Sequence, residues 1–205
     1  MIGFYNYTVL LTYVGTVLAI IGIISAISGN AFHAIICLIF SGACDMFDGT
    51  VARTKKRTAS EKSFGIWIDS LSDLVCFGVL PAVIGYSIGL NRIYYYFIIA
   101  VYILAALVRL GYYGVTEIER QSSGEGERIT FDGLPITTAA LIFPLLFCFK
   151  SLLPPALFPP VYAFLLACTA LAFVLKIKVK KPDKCGIFGI SLLGLAIFVC
   201  LIILY

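Results

Sequence analysis

Apolar runs of membrane-spanning length, separated by short polar clusters, occupy most of the chain from residue 8 onward. A helix needs about 20 consecutive apolar residues to cross the hydrocarbon core of a bilayer. On that measure the sequence divides into seven spans, near 8–27, 31–52, 64–89, 93–114, 134–149, 157–176 and 187–205. The fifth is short and the last could be half of a buried hairpin, so the pattern admits six to eight crossings. The longest polar segment, 116–132, is read as a loop. LPPALFPP, residues 153–160, is read as a rigid connector, because clustered prolines cannot continue a helix. The expected architecture is all-α, a polytopic transmembrane helical bundle forming a single domain over 1–205.

Composition agrees with this reading and excludes a water-soluble fold: of 205 residues, 61% are hydrophobic and 13% charged, and the mean hydropathy is +1.03. Residues 1–8 carry no Lys or Arg and no small-residue cleavage site, so the first span is expected to be retained. The seven cysteines show no C-x-x-C spacing and mostly lie in apolar runs, where a thiol behaves as a small hydrophobe.

A net charge of +4 is explained by where the cations sit rather than by a nucleic-acid partner. Arg53, Lys55, Lys56, Arg57 and Lys62 follow the second span, Arg120 and Arg128 the fourth, and Lys176, Lys178, Lys180, Lys181 and Lys184 the sixth. Only Arg92 and Lys150 fall in the alternate loops. Cytoplasmic loops retain Lys and Arg, so the N-terminus and the three basic loops are expected to face the cytoplasm. An odd number of spans puts Tyr205 outside.

Four of the eleven acidic residues, Asp45, Asp48, Asp69 and Asp73, lie within or at the ends of apolar spans. A carboxylate at mid-bilayer costs roughly 2.5–3.5 kcal/mol on the lenient insertion scale, so four unpaired ones exceed ~10 kcal/mol. Asp45, Asp48, Gly49 and Ala52 fall along one helical stripe, and Gly65, Asp69 and Asp73 recur at intervals of four on the next span. The short link between them makes the two helices antiparallel neighbours with facing acids. Asp45 precedes Arg53 by about 12 Å of helical rise, which recesses the site into one leaflet. An all-oxygen donor set suits Mg²⁺, Mn²⁺ or Ca²⁺ rather than zinc. One or two such ions with a diphosphate balance the charge, and two ions polarise both oxygens of an in-line phosphoryl displacement. Gly49, Ala52 and Gly65 leave a groove through which a base or diphosphate reaches the backbone.

Asp45-Met-Phe-Asp48-Gly49-Thr-Val-Ala52-Arg53 followed by Gly65-Ile-Trp-Ile-Asp69-Ser-Leu-Ser-Asp73 resembles the D-x-x-D-G-x-x-A-R…G-x-x-x-D-x-x-x-D signature of the CDP-alcohol phosphotransferases. The eleven residues between Arg53 and Gly65 exceed the family's usual gap, and they fall in the basic loop. The resemblance implies transfer of a phosphatidyl group from CDP-diacylglycerol to an alcohol, with release of CMP. It implies Asp45, Asp48 and Asp69 as ligands of Mg²⁺ or Mn²⁺, two ions in all, with Asp73 as ligand or general base. Gly49, Ala52 and Gly65 then line the cytidine diphosphate groove and Arg53 supports its phosphates. The catalytic core is placed at about 31–89 and the acceptor-side elements at about 105–140. A homodimer in the cell membrane, surrounded by its lipids and with the site facing the cytoplasm, completes the expectation.

Asp69-Ser-Leu-Ser-Asp73-Leu-Val-Cys-Phe77-Gly78-Val-Leu-Pro81, Phe131-Asp-Gly133-Leu134-Pro135 and Arg109-Leu110 are similar to the phosphatidylserine synthase branch. That branch implies L-serine as acceptor, with Arg109 anchoring its carboxylate or a lipid phosphate. Where the branch continues Ala-Arg-Phe-Asn, this chain has Gly111, Tyr112, Tyr113 and Gly114, so a second arginine is missing. Glycerol 3-phosphate, inositol phosphate and inositol are therefore alternative acceptors. Arg109 could instead snorkel to the interface. Thr130, Thr137 and Thr138 could bond the acceptor or satisfy helix-end backbone groups. His33, the only histidine, is far from the acids. A cation transporter is the rival class, but it calls for acids spread along a pathway and for broken helices in matching halves.

Overall fold

A computed structural model describes residues 7–52, 54, 55, 58–122, 130–180 and 184–205. A 3-10 turn, Tyr7–Val9, leads into α1 (Leu10–Ile27), which is followed by α2 (Ala31–Ala52) and α3 (Ala59–Asp73). A π segment, Leu74–Val79, joins α3 to α4 (Leu80–Ser87) in one continuous rod. The remaining elements are α5 (Ile93–Ser122), β1 (Thr130–Asp132), α6 (Ala139–Cys148), α7 (Phe158–Val174), β2 (Lys178–Lys180) and α8 (Lys184–Leu204). Among the described residues, five helices are long and apolar enough to cross a membrane: Tyr7–Ile27, Ala31–Val51, Ser60–Ser87, Ile93–Arg120 and Gly186–Leu204. Ile136–Cys148 and Phe158–Val174 are shorter apolar helices. The protein is a multi-pass membrane protein.

The most extensive helix pairing among the described residues is between α1 and α2, and small residues permit it. Thr12, Gly15, Ala19, Gly22 and Ala26 form one buried stripe on α1. A β-carbon at Gly22 would come within 2.9 Å of Cys37 Cβ, so only glycine permits this backbone approach. Tyr102, Phe143 and Tyr162 are fully buried where α5, α6 and α7 meet. Their rings lie 5.8 Å apart (Tyr102 to Phe143, edge-on) and 5.1 Å apart (Phe143 to Tyr162). On α8, by contrast, Phe188, Leu192, Leu195, Val199 and Ile203 are exposed, as a lipid-facing surface requires.

Side-chain contacts fix which ends share a face. The Tyr7 hydroxyl lies 3.1 Å from Thr54 Oγ1, so α1 starts where α2 ends. Tyr205 stacks on Phe32, at the start of α2, with ring centroids 5.3 Å apart. Tyr205 therefore lies at the end of the bundle opposite Tyr7 and Thr54. Lys150 lies on that opposite face with its ammonium 4.6 Å from the centre of the Phe147 ring, and burial holds it below the usual lysine range.

Several boundaries differ from the hydropathy reading. The third span begins earlier, at Ala59, because Thr58 and Glu61 form a capping box: Thr58 N–H donates to Glu61 Oε2 (2.8 Å) and Glu61 N–H to Thr58 Oγ1 (3.3 Å). The segment expected to loop from residue 116 continues as α5 to Ser122. Within it Arg120 donates to the buried Glu117 through Nε (3.1 Å) and Nη2 (2.5 Å), an i, i+3 pair that a helix brings together. The fifth span starts later, since a 3-10 turn, Ile136–Thr138, precedes α6.

The otherwise helical fold also carries a two-stranded antiparallel ribbon, pairing Thr130 with Lys180, Phe131 with Val179 and Asp132 with Lys178. Gly133 follows at φ +82°, its N–H donating to Ile177 O at 2.8 Å. A β-carbon there would come within 2.9 Å of Phe173 O, so only glycine fits the turn. The ribbon ties the segment after α5 to the segment after α7.

Candidate active site

The four aspartates converge. Asp45, Asp48 and Asp69 each offer a carboxylate oxygen, all within 4.8 Å of one another. The Asp45 carboxylate lies beside that of Asp73, and the Asp48 carboxylate beside that of Asp69. The first acid of α2 thus meets the last of α3, and the second of α2 meets the first of α3. That register is what two antiparallel helices with acids at i, i+3 and i, i+4 produce.

Two ligand bonds of about 2.1–2.4 Å place oxygens at most about 4.2–4.8 Å apart, so the three-carboxylate spacing fits a shared divalent ion. Among the described residues, no Lys or Arg forms an ion pair with any of the four acids. An all-carboxylate donor set of this kind suits a hard divalent cation. A small recess between α1, α2 and the α3 rod opens against the acids, lined by Thr12, Ser41, Cys44, Asp45, Asp48 and Asp73 among others.

Three features in and around this recess were not legible from the acidic motif. Thr12 Oγ1 donates to Asp48 Oδ2 at 2.9 Å, and both residues are buried. Thr16 Oγ1 lies 2.6 Å from Ser72 Oγ. Ser41 Oγ donates to Gly15 O at 3.0 Å. The first helix therefore braces both acid-bearing helices. Hydroxyls at residues 12 and 16, one turn apart in an apolar span, were the available signal.

Gly49 and the packing glycines differ in what surrounds them. Nothing lies within 4 Å of a β-carbon built at Gly49, whereas one at Gly42 would come within 2.5 Å of Ala140 Cβ. Gly42 is needed for helix packing, while Gly49 leaves open space beside the acids. Gly65 lies on α3 one turn before Asp69. Arg53 and the side chain of Ala52 lie outside the described residues.

Arg109 is 8% exposed and packs inside the helix bundle. Its Nε donates to Leu134 O at 3.3 Å, and its guanidinium carbon is 5.9 Å from the Tyr113 ring centre. It therefore holds the turn that follows β1. Thr138 Oγ1 donates to Pro135 O at 2.6 Å, a helix-end bond rather than an open donor, while Thr130's side chain lies outside the described residues. His33 is exposed at the start of α2, an end remote from the acids.

A family model for CDP-alcohol phosphatidyltransferase matches residues 5–176. The chain belongs to the CDP-alcohol phosphatidyltransferase family. Members of this family depend on divalent metal, in keeping with the carboxylate cluster. The chain is similar to the CDP-diacylglycerol–serine O-phosphatidyltransferase of Saccharomyces cerevisiae, 37% identical over 116 residues, covering 55% of this chain and 41% of the yeast protein. It is similar also to the archaetidylserine synthase of Methanothermobacter thermautotrophicus, 33% identical over 122 residues, covering 59% and 48%. Against the CDP-diacylglycerol–serine O-phosphatidyltransferase of Methanocaldococcus jannaschii it is 33% identical over 181 residues, covering 86% and 78%. The chain thus spans less than half the length of the first two relatives and over three quarters of the third.

Proposed function

We propose that this protein transfers the phosphatidyl group of CDP-diacylglycerol to L-serine, forming phosphatidylserine and CMP. The convergence of Asp45, Asp48, Asp69 and Asp73 in a chain of this family carries the reading. Relatives named for serine as acceptor support the choice of alcohol.

Asp45, Asp48 and Asp69 hold Mg²⁺ or Mn²⁺, as two ions, with Asp73 beside Asp45. When bound, the metal offsets the carboxylate charge and polarises the diphosphate oxygens. Gly49, Ala52 and Gly65 line the groove for the cytidine diphosphate, and Arg53 supports its phosphates. Asp73 accepts the proton of the serine hydroxyl as that oxygen attacks the lipid-side phosphorus. The bond from this phosphorus to the CMP oxygen breaks, and CMP leaves with the electron pair. Arg109 orients the serine carboxylate or a lipid phosphate, since a guanidinium matches either oxyanion.

The site opens toward the cytoplasm at the cell membrane, where the protein acts among membrane lipids as a homodimer. This orientation rests on the cation count of the loops. An alternative acceptor, namely glycerol 3-phosphate, inositol phosphate or inositol, is favoured by one observation. Tyr112 stands where the serine branch carries a second arginine, which removes one bidentate partner for a serine carboxylate.

An acceptor panel tests the proposal. Purified protein with Mn²⁺ and CDP-diacylglycerol is given each alcohol in turn, and CMP and lipid products are quantified. Serine-dependent CMP release with phosphatidylserine as product is expected; equal release without serine, or faster release with another acceptor, overturns the assignment.

A further inference from the structure

Hydroxyl groups in the apolar helices of this protein usually bond back to their own backbone. Thr16 donates to Thr12 O (2.9 Å), Thr169 to Leu165 O (2.7 Å) and Ser191 to Ile187 O (2.8 Å), each four residues back. Thr12 departs from this habit. Its Oγ1 crosses from α1 to Asp48 Oδ2 on α2, 36 residues later, at 2.9 Å. Thr12 is 7% and Asp48 9% exposed, so the bond is largely shielded from water.

We propose that Thr12 is a positioning residue that fixes the Asp48 carboxylate for cation binding. The inference rests on the metal-holding role given to Asp48 above. The chemistry of the donor explains why a threonine suits this place. A lysine or arginine would orient the carboxylate but also neutralise it and compete with a metal ion. A neutral hydroxyl orients one oxygen and leaves the negative charge of the carboxylate intact for a cation. Groups that hydrogen-bond to metal ligands set ligand orientation, and losing one commonly weakens metal affinity by about 10–100-fold.

The surroundings make the Thr12 hydroxyl a fixed point. Gly15 O, less than one turn along α1, accepts from Ser41 Oγ of α2 (3.0 Å) and from Cys76 Sγ of the π segment (3.5 Å). Thr16, one turn along, meets Ser72 at 2.6 Å. Ser72 lies on the helix that carries Asp69 and Asp73. α1 contributes no acid of its own, yet it is registered against both helices that do.

The test is direct Mn²⁺ binding to the full chain in detergent, followed by loss of the free-ion electron paramagnetic resonance signal. Wild type, Thr12→Val, Thr12→Ser, Thr16→Val and Asp48→Asn are compared, with a melting temperature for each. Thr12→Val keeps the shape and removes the donor, so its Mn²⁺ affinity should fall by about 10-fold or more. Thr12→Ser keeps the donor and should bind like wild type, and Thr16→Val should retain affinity because it does not touch Asp48. In turnover assays, Thr12→Val should raise the KM for Mn²⁺ and recover most of its kcat at saturating Mn²⁺.

Unchanged Mn²⁺ affinity in Thr12→Val overturns the proposal. So does an equal loss in Thr12→Val, Thr12→Ser and Thr16→Val that tracks a fall in melting temperature, because that is a packing effect. Should Thr12→Val not fold, Thr12→Ala answers the same question by the same criteria. Failure of wild type itself to bind Mn²⁺ removes the metal reading and this inference with it. Binding by wild type that persists in Thr12→Val removes only the inference.

Discussion

Tyr102 on α5 donates its hydroxyl to the Phe77 carbonyl at 2.6 Å, in the π segment that begins immediately after Asp73. Pro81 lies four residues beyond Phe77 and has no N–H, so an α-helical partner for that carbonyl does not exist. Tyr102 supplies a donor where the α-helical one is missing. Tyr102→Phe should therefore destabilise the protein by about 1–3 kcal/mol by leaving a buried carbonyl unpaired. A thermal unfolding series in detergent checks this, and a melting temperature equal to wild type would contradict it.

The contrast between two glycines of α2 separates packing from function. Gly42→Ala forces a β-carbon against Ala140 and should cost about 1–3 kcal/mol of stability. Gly49→Ala meets no protein atom, so stability should hold or rise by up to about 1 kcal/mol from helix propensity. Its effect should appear instead as a raised KM for CDP-diacylglycerol. A Gly49→Ala protein with unchanged donor KM would remove Gly49 from the nucleotide groove.

Asp73→Asn and Asp48→Asn should fail differently. Asp73→Asn should abolish turnover while retaining much of the donor binding, because it loses the proton acceptor and keeps the Asp45, Asp48 and Asp69 cluster. Asp48→Asn should weaken metal-dependent donor binding. Nucleotide-lipid binding measured with and without Mn²⁺ distinguishes the two, and near-normal turnover in Asp73→Asn would refute its role as base.

Arg109→Lys keeps the charge but loses the planar fork that reaches Leu134 O. If Arg109 also orients serine, the KM for serine should rise by about 10-fold or more, the worth of a hydrogen bond to a charged group. A lower melting temperature with unchanged serine KM would confine Arg109 to holding the turn.

The acids were legible in the sequence because buried charge in an apolar span is costly, and the short link between their spans pointed to antiparallel neighbours, while the pairing of Asp45 with Asp73 and of Asp48 with Asp69 needed the fold. The spans were legible for the same reason that hydropathy works, with the short fifth span correctly singled out. Thr12 was not legible as a partner of Asp48, because a threonine in an apolar helix ordinarily bonds its own backbone. The extension of α5 to Ser122 was hidden because the Glu117–Arg120 pair looks like a polar loop until it is placed on a helix. The β ribbon joins residues 130–132 to 178–180, and three-residue strands carry no periodicity that a sequence reading can detect. The role of Tyr102 needed the fold, since nothing in the chain links it to Pro81.

The central claim is metal-dependent phosphatidyl transfer at the aspartate cluster. Its most direct test is CMP release from CDP-diacylglycerol and serine by purified protein stripped with a chelator and then resupplied with Mn²⁺ or Mg²⁺. The account predicts no release after stripping, recovery with either ion, and phosphatidylserine formed in step with CMP. Undiminished release in the stripped protein, or cation flux without any CMP, would contradict it.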